Sequence, residues 1–254
     1  MLNIKNLYSE VDNNVERLIL LHQELIKIES VNSGYMPTGN ETEVAEFCSN
    51  WLKQYGIESN ILSRVPERGN LVSEYPYSSG NKQLLLMSHS DVVPVENYEK
   101  WNKAPFSAEL IEGKIWGRGS SDCKGLLASQ MMALSILAER KIEFNQKFTL
   151  VCGSDEEHGG RYGFGWLAEK HPEELMYKFA VNEGGGSPVT IGNNLYYLLG
   201  TGEKGRLEIK IKIRGESSHA SVPWMGVNAM GPTANAISQI LNYSPDLDCS
   251  TDIF

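Results

Sequence analysis

Three short runs dominated by apolar residues constrain this chain most: Leu84-Leu85-Leu86-Met87, residues 148–152 and residues 177–181. None shows the strict alternation of a strand with one wet face, so each reads as a strand covered on both sides. The segments between them have helical spacing. Val11, Val15, Leu18, Ile19, Leu25 and Ile26 mark a first amphipathic helix. A second is predicted over residues 41–55, with Val44, Phe47, Cys48, Trp51, Leu52 and Tyr55 on its apolar face. Asn40 is placed to cap it, Glu43 completes a capping-box-like pattern and Gly56 stops it. Further helices are predicted over 124–140, with Leu127, Met131, Leu134 and Ala138 inward, and over 163–170. Further strands are predicted over 57–62, 70–74 and 83–88. Residues 94–119 read as a loop containing Gly, Pro and Trp. This alternation of helices and apolar strands predicts an α/β sandwich around a largely buried sheet.

The pattern changes after Gly200. Residues 207–213 read Leu-Glu-Ile-Lys-Ile-Lys-Ile, a strand with one dry and one wet face, and a helix is predicted over 228–242. We place a domain boundary near 201–204, giving a first domain over 1–201 and a second, α+β domain beginning at 202. Some fifty residues seldom make a self-sufficient core, so the second domain is expected to be incomplete here.

Composition narrows the function. A hydrophobic content of 41% and charged content of 22% suit a globular protein. The formal net charge of −9 argues against nucleic acid or an anionic membrane as the main partner. No run approaches the ~18 apolar residues of a membrane span. The first residues lack a basic stretch followed by an apolar core, so no secretory signal is read and a cytoplasmic location is expected. Cys48, Cys123, Cys152 and Cys249 are scattered without a CxxC pair, which disfavours a thiolate zinc site or a disulfide framework.

Four clusters carry the chemistry. His89-Ser90-Asp91 closes the first apolar run. Trp116-Gly117-Arg118-Gly119-Ser120-Ser121-Asp122-Cys123-Lys124-Gly125 sets Asp122 just before a predicted helix. Ser154-Asp155-Glu156-Glu157-His158 follows the second run, and Asn182-Glu183-Gly184-Gly185-Gly186 follows the third. Taken singly, Asp122 is an ordinary helix cap, Glu156-Glu157 a solvated turn and the glycines a flexible loop. Four such clusters, three directly after apolar strands, are improbable as independent accidents. Carboxylates crowded at strand ends repel one another, and a divalent cation is the simplest compensation. One histidine with several Asp/Glu suits zinc, cobalt or manganese better than calcium. Of two adjacent glutamates, one can bind metal while the other stays free as a base. No complete dinucleotide loop, Walker loop or Gly-x-Ser-x-Gly elbow is present.

These motifs resemble the di-zinc metallopeptidase family of aminoacylases, carboxypeptidases, acetylornithine deacetylases and succinyl-diaminopimelate desuccinylases. The resemblance rests on His89-x-Asp91, Gly117-Arg-Gly-x-x-Asp122-x-Lys-Gly125 and Asp155-Glu156-Glu157, in order, and extends from about residue 10 to residue 245. It implies an aminopeptidase-like α/β/α sandwich catalytic domain with an inserted α+β lid domain that often carries homodimer contacts. It implies two divalent ions, zinc first, with cobalt or manganese as alternatives. His89 and Glu183 would hold one ion and Glu157 the other, with Asp122 bridging both. Glu156 would be the general base, Asp91 the orienting partner of the metal-binding histidine, and His219 the lid histidine facing the oxyanion. Cys123 is given no role beyond packing. The implied reaction is hydrolysis of an amide bond next to a free carboxylate, in an N-acyl amino acid or a short peptide.

One departure matters. The family's last ligand is a histidine near the C-terminus, after the return from the lid, and this sequence stops within the lid. The expectation is a chain that by itself binds metal poorly and turns over little. An alternative of another class is an inactive fragment or non-catalytic relic serving as a binding or dimerisation module.

Overall fold

The computed structural model describes residues 4–36, 38–184, 188–198 and 209–244. The chain divides into two compact units, Met1–Gly184 and Gly185–Phe254. The expected boundary at 201–204 lies outside the described residues.

The first unit runs α1 (Ile4–Asn13), α2 (Val15–Lys27), α3 (Glu41–Lys53), β1 (Ser59–Ser63), β2 (Gly69–Glu74), β3 (Ser78–His89), β4 (Glu109–Ile111), β5 (Lys114–Trp116), α4 (Lys124–Glu139), β6 (Phe144–Gly153), α5 (Phe164–Lys170) and β7 (Phe179–Val181). Five strands form one sheet in the order β1-β2-β6-β3-β7. β1 and β2, and β2 and β6, pair antiparallel, whereas β3 pairs parallel with both β6 and β7. The two faces can be read from the pleat. Leu71, Leu86, Leu150 and Cys152 point into a core shared with α2, α3 and α4; Val72, Leu85, Met87 and Val151 point the other way, against Leu167 and Phe164 of α5. An α/β/α sandwich follows, as the apolar strands require.

α4 is the central helix. Ten of its sixteen residues are buried, among them Leu127, Met131, Leu134 and Ala138. A helix apolar nearly all round belongs inside the protein. It ends in a Schellman turn, with Lys141 left-handed (φ 48°), the Lys141 N–H donating to Ala138 O and the Ile142 N–H to Leu137 O. α3 closes the same way at Gly56 (φ 73°), which donates to Lys53 O while the Ile57 N–H reaches Leu52 O. Leu134 is 1% exposed. Its truncation to alanine is expected to cost about 2–5 kcal/mol, read as a drop in thermal midpoint; a loss below about 1 kcal/mol would contradict this packing.

Several expectations need correction. The first helix is broken at Asn14 into α1 and α2. Asn40 does not cap α3: it is left-handed (φ 95°), and its side-chain amide donates to the Glu43 carboxylate rather than accepting from the first turn. The 94–119 loop contains the β4–β5 hairpin. Residues 209–213 carry no strand, the remainder of that predicted strand lying outside the described residues.

The second unit contains a hairpin of β8 (Pro188–Ile191) and β9 (Asn194–Tyr197), a Glu216–Val227 bridge and α6 (Met230–Leu241), close to the predicted 228–242.

Candidate metal centre

The parallel strands β3, β6 and β7 deliver their carboxyl ends to one side, where open α/β sheets bind ligands. His89 is the last residue of β3, in register with Gly153 at the end of β6. The loop leaving β6 carries Glu156 and Glu157, and the loop leaving β7 carries Glu183. Asp122 precedes α4, whose first residue anchors that helix. Lys124 is wholly buried, and its Nζ donates to Leu25 O (2.9 Å) and Ile28 O (2.6 Å), carbonyls left open where α2 ends. Burial lowers the Lys124 pKa to about 8.

Around His89 the donors converge. Its Nδ1 faces Asp91, 3.0 Å from the carbonyl oxygen and 3.3 Å from Oδ1. Nε2 is 2.9 Å from Asp122 Oδ1, 3.3 Å from Glu183 Oε1 and 3.8 Å from Glu156 Oε2. Asp91 thus faces one nitrogen and three carboxylates surround the other. Among the described residues, two sets of candidate ligand atoms each lie within 4.8 Å of one another, His89–Asp122–Glu157 and His89–Cys123–Glu183. One imidazole nitrogen among carboxylate oxygens is a donor set that fits a divalent transition ion. Cys123 Sγ is already engaged: it accepts from the His89 N–H (3.1 Å) and lies 3.4 Å from His89 O, in keeping with a small packing residue.

Asp91 is fully buried. Its Oδ1 accepts from the Glu156 N–H and its Oδ2 from the Glu157 N–H, both at 3.1 Å, and Oδ2 also accepts from Asn32 Nδ2 at 2.8 Å. Asn32 is brought there because its segment runs beside the one after β3: the Asn32 N–H donates to Val92 O and the Val92 N–H to Ser30 O.

The site holds protons. Burial and then Asp122 push the Glu157 carboxyl up to about 7. Glu156 is shifted upward, chiefly by burial, with Glu183, Asp91 and Asp122 adding to it against the pull of His89. Burial works to lower the His89 pKa, but its contacts with Asp91 and Cys123 outweigh this and the net shift is upward. Such groups bind a cation by giving up protons.

A cavity of about 290 Å3 adjoins these groups, walled by His89, Glu156, Gly160, Phe164 and Glu183. A larger depression of about 630 Å3 lies around Tyr77 and Phe144, at the opposite end of β3 and β6, away from the carboxylates.

Six of the seven residues singled out from sequence therefore sit together: His89, Asp91, Asp122, Glu156, Glu157 and Glu183. His219 belongs to the second unit, where its Nδ1 lies 2.7 Å from Ser221 Oγ and accepts from the Ser221 N–H at 3.2 Å. Sequence reasoning missed Asn32, Glu41 and Arg68, which surround the Asp155–Glu157 turn from below. No periodicity or motif marks a buried Arg or Asn, and the only hint was Arg68 standing directly before a strand.

An imidazole and carboxylates gathered at the carboxyl ends of parallel strands define a metal-binding α/β protein. The chain belongs to the peptidase family M20/M25/M40, whose model matches residues 85–250. It is 30% identical over 240 residues to an uncharacterized metallohydrolase of Methanocaldococcus jannaschii, covering 90% of this chain and 57% of that protein. It is 28% identical over 222 residues to a probable succinyl-diaminopimelate desuccinylase of Staphylococcus epidermidis, covering 87% and 50%. Among solved structures it resembles an M20 family metallo-carboxypeptidase of Sulfolobus solfataricus, with a TM-score of 0.57 and 27% identity over 66% of this chain and 37% of that one. A tripeptidase of Staphylococcus aureus shares the fold, with a TM-score of 0.54, 22% identity, and coverage of 88% and 56%. The chain spans about half the length of the curated relatives it matches.

Proposed function

We propose that this chain supplies the metal-binding part of a metal-dependent hydrolase cleaving an amide bond next to a free carboxylate, in an N-acyl amino acid or a short peptide. The observation that carries this reading is the convergence of three carboxylates on His89 Nε2 at the mouth of a cavity. His89 and Glu183 would hold one divalent ion and Glu157 a second, with Asp122 shared, zinc being the first choice. Bound there, the ions would polarise the scissile carbonyl and acidify water. The chain's own residues supply the rest. Asp91 orients the His89 ring through Nδ1 and holds the Glu156 and Glu157 amides. Glu156 Oε2 takes a proton from the attacking water and returns it to the leaving amine. His219 accepts at Nδ1 from the Ser221 amide, so in its neutral form Nε2 carries the proton and is the atom able to donate to an oxyanion. A homodimer through the second unit remains part of the proposal.

Names of relatives supply both substrate classes, desuccinylase on one side and carboxypeptidase or tripeptidase on the other. The test is elemental analysis of the purified chain after exposure to zinc, cobalt or manganese, with a screen of N-acyl amino acids, N-succinyl amino acids and di- and tripeptides. Measurable uptake of divalent metal that is lost in Asp122→Ala is expected. Failure to take up any of the three ions would overturn the reading.

A further inference from the structure

Resting on the reading of Glu156 as base, we propose that Arg68 is a positioning residue: through Glu41 and Asp155 it fixes the turn that presents Glu156 and Glu157. Arg68 is 1% exposed, and the carboxylates it pairs with are those of Glu41 and Asp155 rather than the proposed metal ligands. Its Nη2 lies 2.7 Å from Glu41 Oε1 and 3.0 Å from Asp155 Oδ1, and both carboxylates are buried. Its guanidinium lies over the Tyr162 ring, 5.2 Å from the centroid. Gly39 makes room for this arrangement. At φ 98° a Cβ there would meet Glu41 Oε2 at 2.2 Å and Arg68 Nε at 2.8 Å.

The consequence travels along the backbone. Asp155 is left-handed (φ 60°), a conformation that is uncommon for a residue with a side chain and persists where contacts over-determine it. Those contacts are all in place. Asp155 Oδ1 accepts from Arg68 and from Asn32 Nδ2 (3.0 Å), Oδ2 accepts from the Tyr162 N–H (3.3 Å), and the Asp155 N–H donates to Glu41 Oε1 (3.2 Å). Three consecutive amides, of Asp155, Glu156 and Glu157, are therefore each held by a buried carboxylate, from Glu41 and then twice from Asp91. Arg68 is the cation that lets two of the carboxylates in this stack, Glu41 and Asp155, stay buried side by side. Remove Nη2 and Glu41 and Asp155 lose their shared donor, the left-handed turn loses its anchor, and Glu156 and Glu157 move relative to His89.

Lysine keeps the charge of Arg68 but not the fixed guanidinium plane that lies over Tyr162 and sets Nη2 between two carboxylates. In Arg68→Lys, amide exchange of residues 155–157 should rise by about tenfold or more while that of the α4 amides stays unchanged. In the metal-loaded protein kcat should fall roughly 10- to 100-fold with little change in KM, since a small misplacement of reacting groups acts on the chemical step. If Arg68→Lys does not fold, Asp155→Asn carries the same measurement, because asparagine tolerates the left-handed turn while losing the charge that Arg68 holds. Unchanged exchange at 155–157 would overturn the proposal, and so would an equal rise across α4, which would assign Arg68 to general stability. Activity of Glu156→Gln close to that of the unsubstituted chain would sink the reading of Glu156 as base and leave the exchange comparison to decide the role of Arg68.

Discussion

With Glu156 as the proposed base, Glu156→Gln is expected to leave the metal complement of this chain intact and to lower whatever turnover the chain has by about 10²–10⁴-fold, the range of a positioned general base. Glu156 stands apart from its neighbour in one decisive way. Glu157 joins His89 and Asp122 in a compact group of ligand atoms, and Glu183 joins His89 and Cys123, but Glu156 is in neither. Its Oε2 reaches 3.8 Å from His89 Nε2, beside the cation site rather than within it. Its amide is pinned to Asp91, so the side chain leaves the turn from a fixed point. Burial, with the surrounding carboxylates adding to it, raises its pKa above the ordinary glutamate value, the direction that the proposed role as a base taking and returning a proton calls for. Glutamine preserves the shape and one acceptor oxygen while replacing the other with an amide donor, which removes the charge and the basicity. Metal stoichiometry measured beside kcat/KM separates the roles: Glu157→Gln should lose metal and activity together, Glu156→Gln activity alone. Activity of Glu156→Gln within about threefold of the unsubstituted chain would show that the base lies elsewhere.

Much of this was legible in sequence because it depends on local pattern. The apolar run ending at His89, the helical spacing of Leu127, Met131, Leu134 and Ala138 over 124–140 and the acidic residues behind 148–152 and 177–181 each have a period or a terminus that marks the kind of element. What was illegible depends on partners distant in the chain. Asn40 looked like a helix cap, but Gly39 and Asn40 both take positive φ, and this tight corner accommodates a Glu41–Arg68 pair that no local pattern announces. Asp155 appeared as one more acid in a cluster. Its left-handed backbone and its bond to Arg68, 87 residues away, exist only after β2 and β6 have paired. The two missed hairpins did carry a signal, since Glu112-Gly113 and Gly192-Asn193 are turn pairs with positive φ at Glu112, Gly113 and Gly192. Their strands are only three and four residues long, too short for alternation to stand out.

Stripping divalent metal will make the stability of the first unit fall more steeply as pH rises from about 5 to 8 than it does with metal bound. Glu157 titrates near 4.5 in an unfolded chain and at about 7 when folded. Between those values the folded chain holds a proton that the unfolded chain has released, so raising the pH favours unfolding. His89 extends the slope. Its folded pKa is raised above 6.5, so the stability its imidazolium contributes among the carboxylates is complete below that pH and is lost as pH climbs further. Asp91 is shifted the opposite way, below its ordinary value of 3.8, so its contribution is lost only in acid beneath this window. A divalent cation needs the deprotonated carboxylates and a neutral imidazole, so its affinity rises through the same range in which the metal-free protein weakens. At a metal concentration a hundred times Kd, binding adds about 2.7 kcal/mol, or roughly 5–11 °C in the thermal midpoint of a unit this size. Melting curves with chelator and with added zinc, taken at half-unit steps of pH, should run close together at pH 5 and diverge steadily toward pH 8. Parallel curves would mean that metal binding releases no protons from Glu157 or His89, and that the cation is held by other groups.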